Sequence, residues 1–525
     1  MSFQSPWFLA ALPVLFLLYY TLPKKAQWPL LLLASLGFYA MAGLWGLLFV
    51  VVSVASSYLV ALRIDQLKRR QKACVAQHRD NMTRNARKAY NARQKRRQRW
   101  WLIAGMALNF GLLAATKIWA MPWVVNRLGM NLLVPIGISF YTFRIMGYLI
   151  DVFWDKTTAQ RNPFKLALFT IFFPYVWQGP ISRYAHVSES LLSPKNFNWA
   201  NFERGLQRMI WGYFKKMVIA DRLMISAGYL VQNPGEYSGM FALWAMVVWS
   251  AALYADFTGG IDITIGIAQC LGVKVEENFL SPFRAKDIFD YWRRWHITMG
   301  TWFRDYVFYP ISVARPMRKC PTRLKIHIAT LITWFTTGIW HGVAWNFIAW
   351  GLANGVVIMI SQELIPFYKR FHKRFPKLRG ATPRQELQQT NANSKPTTLH
   401  RLYGVFEIAR TFFLLTLIRS FDIYLNVPLT LRHIGSIFVR PQFGAFLRYF
   451  GEHSDWFGLS RLDWLVAALA IALLVAAPWF RRPHASAPER KRPHALFWAA
   501  LVLAIFVFGI YGLNFDMTDF FYTQF

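Results

Sequence analysis

The chain has 525 residues, 55% of them hydrophobic and only 16% charged, with 60 Lys and Arg against 25 Asp and Glu for a net charge of +35. Apolar runs recur from Trp7 to Leu513, each about the length of a membrane crossing, which excludes a string of soluble domains. The 45 Phe, 24 Trp and 22 Tyr exclude a disordered chain, which could not hide them from water.

Three apolar stretches come first, at 7–22, 28–41 and 45–62. No basic segment or small-residue cleavage site precedes them, so 7–20 is expected to be a retained span rather than a signal peptide. The next segment, 63–99, holds 14 Lys and Arg against Asp65 and Asp80. Segment 369–401 holds nine against Glu386, and 481–492 five against Glu489. Basic segments beside apolar spans mark the cytoplasmic face and favour anionic lipid headgroups. The charge excess is therefore a matter of topology and membrane lipids, with no nucleic-acid partner expected.

Three crossings before 63–99 place the N-terminus outside. Spans at 402–418, 464–480 and 495–513, counted from the basic segment 369–401, place the C-terminus outside too. The tail beyond carries Asp516 and Asp519 and no basic residue. Between 99 and 369 about nine apolar segments occur where two inside segments require an even number. Several are interrupted, at Pro135, Pro174, Pro180 and Gly259-Gly260. Broken helices at membrane depth need protein or a water-filled cavity around them, so this central region is expected to hold re-entrant or short helices and the functional site.

Two segments there stand out. Residues 290–306 (DYWRRWHITMGTWFRDY) pack Arg293, Arg294, Arg304, Asp290, Asp305, His296 and three Trp, among them Trp295, into 17 positions. Ionisable groups near a membrane core mark sites or pathways; an interfacial helix with a tryptophan belt and snorkelling arginines is the plainer alternative. Residues 336–346 (TTGIWHGVAWN) lie in a 33-residue stretch, 328–360, whose one ionisable side chain is His341. A neutral imidazole accepts a proton near neutral pH without being charged at rest. Gly338 and Gly342 would admit a close neighbour, and Trp345 would share the face of His341 if the segment is one helix. A helix-packing histidine is the alternative. Smaller polar islands are Gln178 to Arg183 and Asp256 to Asp262, for which turns and caps serve equally well.

No phosphate loop, dinucleotide fingerprint or nucleophile elbow is present. The cysteines, Cys74, Cys270 and Cys320, have neither metal-ligand nor disulfide spacing. No bound metal or cofactor is expected.

The YWRRWH run ending at His296, TWFRDY at 301–306, and GIWHG around His341 together resemble the hallmark of the membrane-bound O-acyltransferases. The bacterial branch, with its alginate O-acetylation and teichoic acid D-alanyl transfer proteins, is the most similar. Runs at 134–143, 173–180, 212–221, 256–262 and 277–279 extend the resemblance along most of the chain. Gly260, and the segment after Tyr309-Pro310, depart from that branch.

The resemblance implies an all-α polytopic membrane protein whose helical core has re-entrant or short helices around a tunnel. It divides the chain into N-terminal spans (1–62), a basic cytoplasmic loop (63–99), a catalytic core (100–368), a cytoplasmic linker (369–401) and C-terminal spans with an outside tail (402–525). It makes His341 the catalytic histidine and His296 its partner. Trp340, Trp345 and Asn346 would exclude water and orient the acceptor, and Trp295 would join them in substrate binding. Arg293, Arg294 and Arg304, with Asp305, Gln178, Arg183 and Asp256, would complete substrate binding. The donor would be acetyl-CoA, another acyl-CoA or an acyl-carrier thioester. The acceptor would be an envelope polysaccharide or lipid-linked glycan, reached with an outside esterase-like partner in a bacterial inner membrane. The rivals are a D-alanyl transferase fed by a carrier protein and a non-enzymatic polysaccharide or lipid translocase.

Overall fold

The computed structural model describes residues 3–78, 80–119, 135, 137–175, 178–378, 398–480 and 495–511. The basic segment 481–492, most of the polar linker and the acidic tail lie outside the described residues. Within them the chain is helical almost throughout; the strands described are a two-residue hairpin, Asp455–Trp456 with Leu459–Ser460.

Helix starts follow local chemistry. The Ser5 hydroxyl accepts from the Phe8 N–H ahead of Pro6–Thr21. Asn162 caps Pro163–Ile171 and Asn198 caps Trp199–Tyr213, each through its side-chain carbonyl. Proline at the first helical positions loses no intrahelical bond. The first three apolar stretches become Pro6–Thr21, Gln27–Ala42 and Leu44–Gln77.

The third helix does not stop where its apolar run stops. It continues to Gln77, and Arg84–Trp119 returns as a second long helix. The basic segment 63–99 is thus a helical hairpin rather than an irregular loop. Its Lys and Arg side chains are good helix formers, and apart from the buried Lys68 most described ones are exposed.

Among the described residues, three helices are long and apolar enough to cross a membrane: Leu44–Gln77, Arg84–Trp119 and Met240–Cys270. A fourth candidate is the pair Trp345–Glu363 and Ile365–Arg374, bent by 46°. Much of the remaining central region is short pieces, including Pro163–Ile171, Tyr184–Leu192, Ile288–Arg294 and Ile297–Phe303. That is the pattern expected of the segment whose crossings failed to pair. The protein is an all-α polytopic membrane protein.

One expected interruption is absent. Met240–Cys270 runs unbroken through Gly259-Gly260. The glycines there serve packing instead: a Cβ on Gly212 would lie 2.7 Å from the Gly259 carbonyl oxygen, and one on Gly205 2.7 Å from that of Gly266. Two helices therefore cross backbone to backbone, as small residues permit in membranes.

The chain forms two compact units, one of Met1–Arg222, Ala252–Glu276 and Leu465–Phe525, the other of Leu223–Ala251 and Glu277–Trp464. In the first, Trp199–Tyr213 passes into a π-helical turn, Phe214–Ala220. The wider turn brings Asp221 back over Lys216, whose Nζ lies 2.7 Å from Asp221 and 2.8 Å from Asp256. Lys215 and Arg208 both meet Asp262, at 2.8 and 2.9 Å. Five of these six groups are buried or nearly so, and burial is tolerable because each cation has a carboxylate.

The second unit has two apolar foci. One gathers Leu230, Phe241, Ala245, Tyr449 and Phe457; the other centres on Trp350, Ile418 and Phe421, with Trp292 and Trp334 packed against it. The second focus adjoins the histidines.

Candidate active site

His341 is the last residue of Thr322–His341. Gly342 then adopts extended backbone and the next helix, Trp345–Glu363, folds back antiparallel to pack closely. Three glycines make this turn possible. A Cβ on Gly342 would sit 2.1 Å from the Phe347 ring, one on Gly338 2.6 Å from the Phe347 carbonyl oxygen, and one on Gly351 2.4 Å from that of Trp334. The near neighbour expected at Gly338 and Gly342 is thus this chain's own returning helix.

The break also corrects the expectation for Trp345. The segment is not one helix, so Trp345 does not share a face with His341; it begins the returning helix and is 78% exposed. The indole four residues from the returning helix's Asn346, Trp350, takes that place, its ring centroid 4.7 Å from that of His341. Asn346 is buried and donates to the Phe421 carbonyl at 3.3 Å, tying the returning helix to Thr398–Tyr424.

His296 lies between Ile288–Arg294 and Ile297–Phe303 with φ of 45°, in the left-handed region. Such a conformation costs a non-glycine residue energy and persists only where its surroundings enforce it. They do so on both sides. The Leu280 N–H donates to the Arg294 carbonyl, and the Ile297 N–H to the Asn278 carbonyl, each at 3.0 Å. The Asn278 side-chain oxygen also accepts from the Thr298 N–H at 3.1 Å and the Thr298 hydroxyl at 2.9 Å.

Those two bonds fix which end of the Asn278 amide is oxygen. His296 Nδ1 lies 3.3 Å from that same oxygen, so Nδ1 carries the proton and donates. The lone pair of the neutral ring is then on Nε2. His296 is completely buried and His341 is 8% exposed.

The two imidazoles are linked through Trp340. Its ring centroid is 4.7 Å from that of His341 and 6.3 Å from that of His296. Phe303 closes on the same indole at 6.3 Å, and Trp292, Trp334 and Trp350 stack edge to face behind His341. The result is an aromatic enclosure holding two imidazoles.

Trp295, buried beside His296, carries a residue that sequence patterning did not single out. The Arg419 guanidinium lies 3.9 Å from the Trp295 ring centroid and donates to the Tyr291 hydroxyl. Its one visible signal was position, an arginine three residues before Asp422 at the end of an apolar span. Asn278 had no signal of its own beyond the run it shares with Glu277 and Phe279.

The expected anion-binding arginines already have carboxylates. Arg294 lies 2.9 Å and Arg293 3.7 Å from Asp290, and Arg304 2.8 Å from Asp305, all with some exposure. Gln178, Arg183 and Asp256 belong to the other unit. There Gln178 is buried, Arg183 is half-buried and Asp256 pairs with Lys216.

A helical, membrane-spanning chain with two imidazoles enclosed by its own tryptophans defines a membrane-embedded protein with a paired-histidine centre. Comparison with known proteins makes this specific. Residues 158–384 match the membrane-bound O-acyltransferase family. The chain is 31% identical over 415 residues to the peptidoglycan O-acetyltransferase of Helicobacter pylori, covering 72% of this chain and 73% of that one. It is 32% identical over 384 residues to the probable alginate O-acetylase AlgI of Azotobacter vinelandii, covering 69% of each. With the teichoic acid D-alanyltransferase of Streptococcus thermophilus it shares 27% over 270 residues, 50% of this chain and 65% of the relative. The chain belongs to the membrane-bound O-acyltransferase family and is an acyltransferase.

Proposed function

We propose that this acyltransferase moves an acyl group, acetyl in preference to others, from a cytoplasmic CoA or carrier thioester to a hydroxyl of a cell-envelope polysaccharide or lipid-linked glycan. The membrane is the bacterial inner membrane, with both termini outside and an esterase-like partner receiving the product. The observation that carries the reading is the burial of His296 and His341 against one indole, Trp340. The acetyl preference draws on the two O-acetylating relatives.

In this mechanism His341 accepts the proton of the acceptor hydroxyl as its oxygen attacks the thioester carbonyl. The carbonyl carbon becomes tetrahedral; the C–S bond then breaks, and the imidazolium returns its proton to the thiolate. His296, held with its lone pair on Nε2, is the second proton-accepting group. General base catalysis of this kind contributes about 10²–10⁴-fold. Trp340 and Trp350 keep water from the imidazole and so limit thioester hydrolysis. Arg293, Arg294 and Arg304 offer N–H donors to a phosphate-bearing donor.

The test is the ester content of envelope glycans in cells producing His341→Ala or His296→Ala at wild-type protein level. Loss of acetyl ester with polymer output intact is the expected result. Unchanged ester content in His341→Ala overturns the site. A fall in polymer with full esterification of what remains favours translocation, and loss of alanyl rather than acetyl ester reassigns the acyl group.

A further inference from the structure

A second polar site lies in the first unit, at the level where Leu44–Gln77 changes from apolar to basic. There an open cleft of about 560 Å³ is lined by Leu59, Leu62, Arg63 and Arg69 of that helix and by Arg161. We propose that it binds the phosphate headgroup of an anionic membrane lipid, with an acyl chain lying along the apolar part of the helix.

Hydrogen bonds hold the connection that carries Arg161 against the helix. Arg161 belongs to the connection between Ile138–Phe153 and Pro163–Ile171, and this connection is fastened to Leu44–Gln77 at two points. The Tyr58 hydroxyl donates to the Arg161 carbonyl at 2.8 Å. Next to Arg69, the nearly buried Lys68 ammonium donates to the Val152 and Phe153 carbonyls and lies 2.9 Å from Asp155. Arg161 is therefore carried to the cleft by a fixed backbone.

The charge in the cleft is cationic. Asp65 also lines it and pairs with Arg69 at 2.8 Å. Among the described residues no carboxylate pairs with Arg63 or Arg161, and both are exposed. Three arginines against one aspartate leave two positive charges, suited to a phosphate monoanion or dianion.

The apolar wall decides for a lipid over a soluble phosphate. Leu48, Val51, Ala55 and Leu59 are exposed at spacings of three and four residues, one continuous face of the helix. That stripe runs directly into Leu62, Arg63, Gln66 and Arg69. Leu48 to Leu62 spans about 20 Å at the rise of an α-helix, enough to carry an acyl chain through one leaflet of a hydrocarbon core about 30 Å thick. A headgroup at the arginines and a chain along the stripe satisfy both walls together.

The experiment counts phosphatidylglycerol retained by the purified full chain in native mass spectrometry, after exchange from mixed micelles of phosphatidylglycerol and phosphatidylcholine. The variant Arg63→Gln/Arg161→Gln is expected to lower occupancy of the most tightly held phosphatidylglycerol about thirtyfold, from two lost cationic contacts. Arg93→Gln/Arg97→Gln removes equal charge from exposed positions in the hairpin and is expected to leave that lipid in place. Equal loss from both variants, or from neither, overturns the proposal. Leu59→Asn separates the sources of phosphate: it is expected to weaken lipid retention. If Leu59→Asn has no effect and millimolar inorganic phosphate displaces the bound anion, the site serves a soluble phosphate and the lipid assignment fails. Arg161→Lys, which keeps the charge, is expected to restore most retention and guards against loss by misfolding.

Discussion

Asn278 is the residue on which the proton arrangement of the site turns. Its oxygen receives Thr298 twice and His296 once, so it holds His296 in a left-handed conformation and in one tautomer. Replacing it with alanine removes the acceptor for Nδ1–H and leaves the ring to choose its own tautomer and direction. Asn278→Ala is expected to lower kcat about 10- to 1000-fold, no more than the roughly 10²–10⁴-fold that one general base contributes, with the KM for the thioester little changed. Asn278→Asp keeps an acceptor at the same place and is expected to retain more activity than alanine, with its pH profile displaced by the added charge. Initial rates of acyl transfer in membranes at several pH values check this; equal kcat in Asn278→Ala and wild type would show that His296 needs no such anchor. His341 stood out in the sequence as the one ionisable side chain of a long apolar stretch, and His296 through the arginines and tryptophans around it. Arg419 was not, because its meaning depends on Trp295 and Tyr291, more than a hundred residues away in the chain. Trp345 misled for a related reason: helical spacing predicts a shared face only while the helix continues, and Gly342 ends it.

Helices in this molecule approach one another through glycine, and periodicity in a sequence does not reveal that. Glycine read as a breaker is sound reasoning for a strand or a soluble helix. In Met240–Cys270 the same residue is the contact surface, since Gly259 and Gly266 face Gly212 and Gly205 across the crossing. The π-helical turn beside it, with Lys216 between Asp221 and Asp256, was equally hidden: a spacing of five residues is no α-helical neighbour relation. Gly212→Ala is therefore expected to force the two backbones apart and destabilise the protein by about 1–3 kcal/mol. Gly228→Ala, where a Cβ would meet nothing within 4 Å, is the matched control and should be neutral or slightly stabilising. Thermal unfolding of both purified variants in the same detergent compares them. Equal melting temperatures would mean that the crossing yields without cost.

At the scale of the whole molecule the excess of 35 positive charges acts as a label for one side of the membrane. The positive-inside rule predicts that the basic hairpin faces the cytoplasm, and makes the same prediction for the segment around Arg315, Arg318, Lys319, Arg323 and Lys325. On the proposed function that sidedness would set the acyl group's direction of travel, from a thioester inside to a glycan outside. The cysteines report on it without any new chemistry. Cys74 sits in the hairpin and Cys320 in the second basic segment, both half-buried, while Cys270 is buried in Met240–Cys270. With single-cysteine variants, a membrane-impermeant maleimide is expected to leave Cys74 and Cys320 unlabelled in intact cells whose outer membrane has been opened. Both should label once the inner membrane is permeabilised, and Cys270 should label in neither state. Labelling of Cys74 or Cys320 before permeabilisation would reverse the sidedness, and with it the direction in which the acyl group is carried.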